Sequence, residues 1–328
     1  MIFTHIVIFI VSFFVLVFSS KWLVGALTKV AKFFGWKEFV VAFFTMALAG
    51  SIPNLSVGLS SAFRGISQLS FGEIVGGNII DLTVAVALAA LVSRNGLRVS
   101  GKTVRGSTVF TLIIAVLPLI LIFDGNLSRI DGIVLILAFL VYSFWLFNKK
   151  ERFRKTYNHN TSPITAKSFF KNFGGILIAV SLLFLATEGI INSAVYFSSA
   201  LGLPLALVGM FAVGVGNTMP EIFFSIQAAR AGRDWMVLGN LIGAIILPVT
   251  LVLGVVVLIN PIQIANFSPF FIGRFFLVIS ALFFLIFSRT ERRVSRKEAI
   301  FLLLIYLSFI ATEFLFGCNG VWNKFLGA

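Results

Sequence analysis

Between residues 3 and 317 the chain is a succession of apolar runs, each of roughly membrane-spanning length, separated by short polar stretches. A bilayer core about 30 Å thick needs about 20 apolar residues per crossing helix. Backbone inside lipid must also satisfy its own hydrogen bonds, which leaves a helical bundle as the economical solution. The runs number ten: 3–20 (compatible with extension to 33), 38–62, 72–93, 106–123, 130–148, 171–197, 204–229, 236–259, 270–288 and 299–317. The fold class expected is therefore all-α and polytopic, with ten transmembrane helices. Composition agrees, because only 12% of residues are charged, against about 25% in a soluble domain. The first run lacks a basic leader segment and has a counterpart later in the chain, so it reads as a permanent helix.

The formal charge of +14 could suggest nucleic acid, but its distribution argues otherwise. With the N-terminus outside, 21 of the 26 Lys and Arg fall in cytoplasmic loops: 29–37, 94–105, 149–171, 230–233 and 289–297. Arg64, Arg129, Arg274 and Lys324 fall outside, and Lys21 lies within the first helical region. Such a bias sets membrane orientation. The expected partners are thus the lipid bilayer and inorganic cations, with no nucleic acid, in the inner (plasma) membrane of a prokaryotic-type cell. Cys318 is the single cysteine, which excludes a disulfide framework, and the isolated His5 and His159 offer no metal constellation.

Sliding the chain on itself by 167 residues aligns Gly35–Thr83 with Gly202–Thr250 without a gap, with ten of 49 positions identical. Gly35, Pro53, Gly65, Gly72, Gly76 and Thr83 fall on Gly202, Pro220, Gly232, Gly239, Gly243 and Thr250. Each half holds five spans, an odd number, so the second half enters the membrane from the opposite side. That defines two inverted five-helix repeats, 1–148 and 171–328, joined by a basic cytoplasmic loop at 149–170. Secondary transporters of this architecture bind their substrates near the midplane, at interrupted helices.

The polar residues inside the apolar runs concentrate at equivalent places. Pro53 and Pro220 each interrupt a helix and should free carbonyls near Ala49, Gly50 and Gly216. With the hydroxyls of Ser51 and Thr218 these are hard oxygen ligands suited to Na⁺ or Ca²⁺. Asn54 and Glu221 follow the prolines and should project from the first turn of a half-helix. Glu73, Gly77 and Asp81 are spaced four apart and share a helical face; the equivalent face carries Asn240, Ala244 and Pro248. A carboxylate within a membrane span marks a functional site by default. Asp81 should lie deep, and Glu73 should lie close enough to the helix start to reach interfacial water. Gly72/Gly76 and Gly239/Gly243 form G-x-x-x-G pairs for close packing. Lys21 and Glu188 are equivalent positions and could pair structurally across the repeat axis, while Glu313 should approach the outer interface.

The segments AGSIPN (49–54) with GEIVGGNIID (72–81), and GNTMPE (216–221) with GNLIGAIILP (239–248), resemble the two alpha repeats of the sodium/calcium exchanger family. The resemblance spans the whole chain and implies antiport of Ca²⁺ against Na⁺, or against H⁺, with no cofactor. The family pattern is G-T-S-x-P-E on the second and seventh helices and G-N-x-x-G-S-N-x-x-N/D on the third and eighth. It places Ser51, Asn54, Gly77 and Asp81, and then Asn217, Thr218, Glu221, Ala244 and Pro248, at ligand positions. Asn54 replaces the first glutamate, Gly77 and Ala244 replace serines, Pro248 removes a polar ligand, and Glu73 replaces an asparagine that Asn240 keeps. Asp81 and Glu221 remain as two central carboxylates, enough to neutralise one Ca²⁺. The thinner ligand set implies altered stoichiometry, coupling to H⁺, or a cation-binding protein impaired in transport. A uniporter, sensor or scaffold would present the same residues. An intramembrane enzyme would need a base or metal pair of the H-E-x-x-H kind near the centre, and no histidine lies there.

Overall fold

The computed structural model describes residues 1–33, 38–99, 102–148, 166–263, 267–289, 293–313 and 315. They are mostly helical: α1 (Ile2–Phe33), α2 (Glu38–Phe63), α3 (Gln68–Ile80), α4 (Val86–Val92), α5 (Lys102–Leu121), α6 (Arg129–Asn148) and α7 (Ala166–Leu201), followed by α8 (Leu205–Val208), α9 (Gly214–Arg230), α10 (Asp234–Leu247), α11 (Leu253–Ile259), α12 (Phe267–Arg289) and α13 (Arg296–Thr312). Eight helical runs among the described residues are long and apolar enough to cross a membrane. The expected spans 38–62 and 299–317 coincide with α2 and α13, which are not among the eight; α13 has only 17 residues. The segment 149–165 of the expected central loop lies outside the described residues, and its last five residues belong instead to α7.

The helices do not break at Pro53 or Pro220. α2 runs through Pro53 and α9 through Pro220, so neither Asn54 nor Glu221 opens a half-helix. The irregularity lies elsewhere, in three five-residue π-helical turns that join α3 to α4 (Asp81–Ala85), α8 to α9 (Gly209–Val213) and α10 to α11 (Pro248–Val252). A π turn loosens the ladder by one residue and re-aims the side chains around it, and such turns gather at functional sites.

The backbone repeats itself at the 167-residue offset. The π turns at Asp81–Ala85 and Pro248–Val252 are equivalent. Gly65 and Gly232 end α2 and α9 with φ of 72° and 69°. Their amides bond back to Ala62 and Ala229, and the next residues bond to Ser61 and Ala228. These are matched Schellman closures, which need a residue that tolerates the left-handed region. Two small antiparallel pairs tie the ends together, Leu97–Arg98 against Arg293–Val294 and Asn126–Leu127 against Ile262–Gln263.

Burial separates a central layer from a peripheral one. The run Gln68–Val92 has 78% of its apolar window inside the protein, against 17% for Ile2–Leu23 and 22% for Arg129–Leu146. Exposed phenylalanines such as Phe3, Phe14, Phe144 and Phe184 face outward, as in a protein solvated by lipid. α1 and α7 pack chiefly on one another around Leu16, Ile190 and Ile191, in a core separate from the larger one around α3, α10 and α12.

Helix association in lipid gains little from the hydrophobic effect and depends on close packing. The tightest seam is between α3 and the α8–α9 run. A Cβ on Gly72 or Gly76 would strike the backbone of Ala206 or Met210, and one on Gly209 would strike the carbonyl of Leu69. The G-x-x-x-G role thus holds for Gly72 and Gly76. For Gly239 and Gly243 no described residue lies within 4 Å of a Cβ, and the side chains of the first half of α2, a helix on which α10 packs, lie outside the described residues.

Candidate functional site

The α3 and α9 runs cross at the protein's polar centre and line a small, partly open cavity. α3 and its π turn contribute Glu73, Ile74, Gly77, Asn78 and Asp81; α9 contributes Asn217, Thr218 and Glu221; Asn54, Ala244 and Pro248 complete the wall. The spacing of Glu73, Gly77 and Asp81 brings all three to the cavity as expected.

All three carboxylates are out of water, with Glu73 at 1% exposure, Asp81 at 2% and Glu221 at 7%. Glu73 therefore does not reach interfacial water. Asp81 opens the π turn and, with Glu221 of α9, lines the same cavity, so two carboxylates share one buried space. One oxygen of each is buried without a hydrogen-bond partner. An ionised carboxylate in such surroundings demands a compensating cation or proton.

Glu73 sits in a separate network. The Asn217 side-chain amide donates to Glu73 Oε1 and also to Asn54 Oδ1, the latter at 2.7 Å. Among the described residues no three His, Cys, Asp or Glu side chains converge tightly enough to hold one metal ion. The acidic groups are thus the Asp81–Glu221 pair plus one carboxylate apart.

Thr218 lines the cavity, and its hydroxyl donates back to Gly214 O at 2.9 Å and Val215 O at 3.1 Å. This leaves the oxygen's lone pairs open as ligands. A Cβ on Gly77 would lie 3.4 Å from the Thr218 methyl, so Thr218 fills part of the space where the family pattern has serine.

Several expected residues stand elsewhere. Ser51 is buried with an unpartnered hydroxyl but lies off the cavity wall, as does the half-buried Asn240. Gly216 serves packing, since a Cβ there would press into the Phe13 ring of α1 at 2.5 Å. The surroundings of Ala49 and Gly50 lie outside the described residues. Glu188 pairs with Arg64, which also donates to Asn192 at 2.7 Å, and not with Lys21. Lys21 is exposed. Glu313 is 1% exposed and follows the last turn of α13, so it does not stand at an open interface.

Asn78 was not among the expected site residues, although the sequence carried its signal. It keeps the asparagine of the G-N-x-x-G-S-N pattern, three residues before Asp81, and helical spacing brings both to one side.

Comparison with known proteins accounts for this arrangement. The family model described as sodium/calcium exchanger protein matches residues 4–148 and again 171–315, two segments offset by the same 167 residues. The chain belongs to the sodium/calcium exchanger family. It is 25% identical to the sodium/calcium exchanger MaX1 of Methanosarcina acetivorans, over 91% of this chain and 95% of that one. It is 26% identical to the inner membrane protein YrbG of Escherichia coli, over 89% and 91% of the two chains. Among solved structures it shares the fold of the sodium-calcium exchanger NCX_Mj, with a TM-score of 0.62 and 23% identity over 95% of this chain and 99% of that one. The protein is accordingly an integral membrane protein of exchanger fold.

Proposed function

We propose that the protein exchanges Ca²⁺ for Na⁺ by alternating access, with no cofactor and no enzymatic step. The observation that carries this reading is that the buried Asp81 and Glu221 line one cavity whose described wall bears no Lys or Arg. Two carboxylates neutralise one divalent ion, and Thr218, Asn217, Asn54 and Asn78 add neutral oxygens of the hard type that Ca²⁺ and Na⁺ prefer. Ser51 sits one turn back and is available to a rearranged site. Family membership and likeness to exchangers support the same assignment.

The architecture that goes with it is ten spans in two inverted repeats, 1–148 and 171–328, with the N-terminus outside and residues 149–170 on the cytoplasmic side of the inner membrane. The matched π turns, glycine closures and doubled family match support the repeat. The odd number of spans per half and the distribution of Lys and Arg support the orientation.

Purified protein in liposomes, with Na⁺ and H⁺ gradients imposed separately, tests the function. Ca²⁺ uptake driven by Na⁺ is expected, and Asp81→Asn and Glu221→Gln should each abolish it. Uptake driven only by H⁺ would replace the counter-ion, and undiminished uptake in both variants would remove the site assignment.

A further inference from the structure

The groove between α12 and α13 differs from its repeat counterpart between α5 and α6 in ways that packing does not require. On α12, Leu282, Ile286 and Arg289 are exposed at i, i+4 and i+7, so they share one stripe. On α13, Lys297, Ile300, Phe301 and Leu304 are exposed at i, i+3, i+4 and i+7. Each stripe is apolar along the helix and ends in a cation at the turn that joins the two. Between them the Phe301 ring packs edge-on against Phe283 at 4.8 Å and Phe287 at 5.8 Å, and Phe301 is itself 41% exposed.

The joining turn adds charge to this end of the groove. It carries Arg293, which the strand register sets opposite Arg98, and both are exposed. Like charges directly opposed in a ladder destabilise it. Among the described residues of 283–301 the one carboxylate is Glu298. Its Oε2 accepts from the Ser295 amide and hydroxyl at 2.7 and 2.8 Å. That reciprocal cap closes the end of α13, so the groups left to attract an anion are side chains and not the helix terminus. A cation in the first turn opposes the helix dipole, so Lys297 does not stabilise α13 by its position.

Cations at helix ends also snorkel to the interface and bias orientation. The counterpart groove shows how much of this the scaffold needs. At the 167-residue offset, Arg289, Arg293 and Lys297 correspond to Ile122, Asn126 and Ile130. Phe283, Phe287 and Phe301 correspond to Val116, Ile120 and Val134. The ribbon there sets Asn126 opposite Gln263. The same backbone elements therefore form without the charges or the rings. A bias of Lys and Arg toward one membrane side accounts for the cations and not for the aromatic cluster beside them.

We propose that this groove binds one anionic phospholipid, with its phosphate on Arg289, Arg293 and Lys297 and an acyl chain along Phe301 and the flanking apolar stripes. Phe301 is four residues beyond Lys297, about 6 Å further along the axis, which sets the ring below the level of the headgroup. Guanidinium groups match phosphate oxygens with their fork of donors, and basic pockets between membrane helices recognise anionic headgroups. A free phosphate would use the cations and leave the exposed ring without a contact, whereas a lipid uses both. The inference does not depend on which ions are exchanged.

Native mass spectrometry of the purified full chain, titrated with phosphatidylglycerol or with phosphatidylcholine of the same acyl chains, tests it. Wild type should retain one phosphatidylglycerol, with an affinity about tenfold above that for phosphatidylcholine. Arg289→Gln combined with Lys297→Gln should remove that preference. Phe301→Ala should weaken both lipids alike, because it removes contact and no charge. Arg129→Gln, at the head of the counterpart groove, should change neither lipid by more than about threefold. If the double variant is not monodisperse, Lys297→Gln alone should lower the preference in part. Equal retention of the two lipids by wild type, or an undiminished preference in the double variant, overturns the site. Displacement of phosphatidylglycerol by inorganic phosphate at equal concentration assigns the cations to a free phosphate and overturns the lipid.

Discussion

α3 and α10 are the same helix in backbone and different helices in substance. Each runs into a π turn at the same repeat position, after a glycine-closed turn of the same hydrogen-bond pattern. Yet α3 presents Glu73, Gly77 and Asp81 where α10 presents Asn240, Ala244 and Pro248. α3 also lies backbone to backbone against α8–α9 through Gly72 and Gly76. The backbone repeat therefore constrains helix geometry more tightly than it constrains ligand chemistry. The first half has gathered the acidic residues of the crossing helix, and the second supplies Asn217 and Glu221 from the proline helix.

The largest effect should come from the seam. Gly76→Val would drive a side chain into the Met210 backbone, which cannot yield as a side-chain tip can. Overpacking ordinarily costs about 1–3 kcal/mol, and a backbone collision should exceed that range. Folded yield by detergent size-exclusion should collapse for Gly76→Val. For Gly25→Val, where a Cβ meets no described atom within 4 Å, the yield should stay closer to wild type. Equal losses in both would mean that the seam of Gly76 with Met210 is not what limits folding.

Next in size is the amide at the crossing. Asn217→Ala strips the donor from Glu73 Oε1 and from Asn54 Oδ1, two acceptors with little water to replace it. Leaving a buried acceptor unsatisfied costs about 1–3 kcal/mol, so the midpoint for Ca²⁺-driven exchange or the melting temperature should shift clearly. Asn240→Ala, off the wall, should leave transport within about threefold, under 1 kcal/mol. A larger deficit for Asn240→Ala would move the second half's asparagine into the site.

These contrasts also show what the linear sequence could convey. Asp81 and Glu221 were legible because a carboxylate in an apolar run has few structural excuses. The equivalence of the halves was legible because glycine and proline report backbone shape. The π turn at Asp81 was not, since nothing in D-L-T-V-A departs from ordinary helix composition, and Pro248 marks an irregularity in the second half without stating its kind. Partner choice was equally hidden. Lys21 and Glu188 are repeat equivalents, but Arg64 at the end of α2 reaches Glu188 first.

The Arg64 contact belongs to one half only, because its repeat counterpart is Ala231. Arg64 and Glu188 are about a third and a quarter exposed, so solvent screens the pair. Such pairs contribute about 0.2–1 kcal/mol. Arg64→Gln should therefore lower the melting temperature slightly at low salt, with the difference from wild type shrinking as salt rises. A salt-independent loss would assign the effect to the Asn192 hydrogen bond instead.

The smallest expected difference lies where the halves agree most closely. Ser128 and Asp131 at the start of α6 are the 167-residue counterparts of Ser295 and Glu298 at the start of α13. In both, the acidic side chain accepts from the serine amide, at 2.8 Å and 2.7 Å, and the serine hydroxyl accepts from the acidic residue's own amide at 3.4 Å. Each is a reciprocal cap satisfying donors that the helix leaves open. Ser→Ala at an N-cap costs about 1 kcal/mol. Ser128→Ala and Ser295→Ala should thus depress the melting temperature alike, to within about 0.5 kcal/mol of each other. Because neither serine touches the cavity, ion binding should be unchanged in both. A marked inequality between the two caps would mean that the divergence of the halves extends beyond side-chain chemistry into the local stability of the repeated backbone.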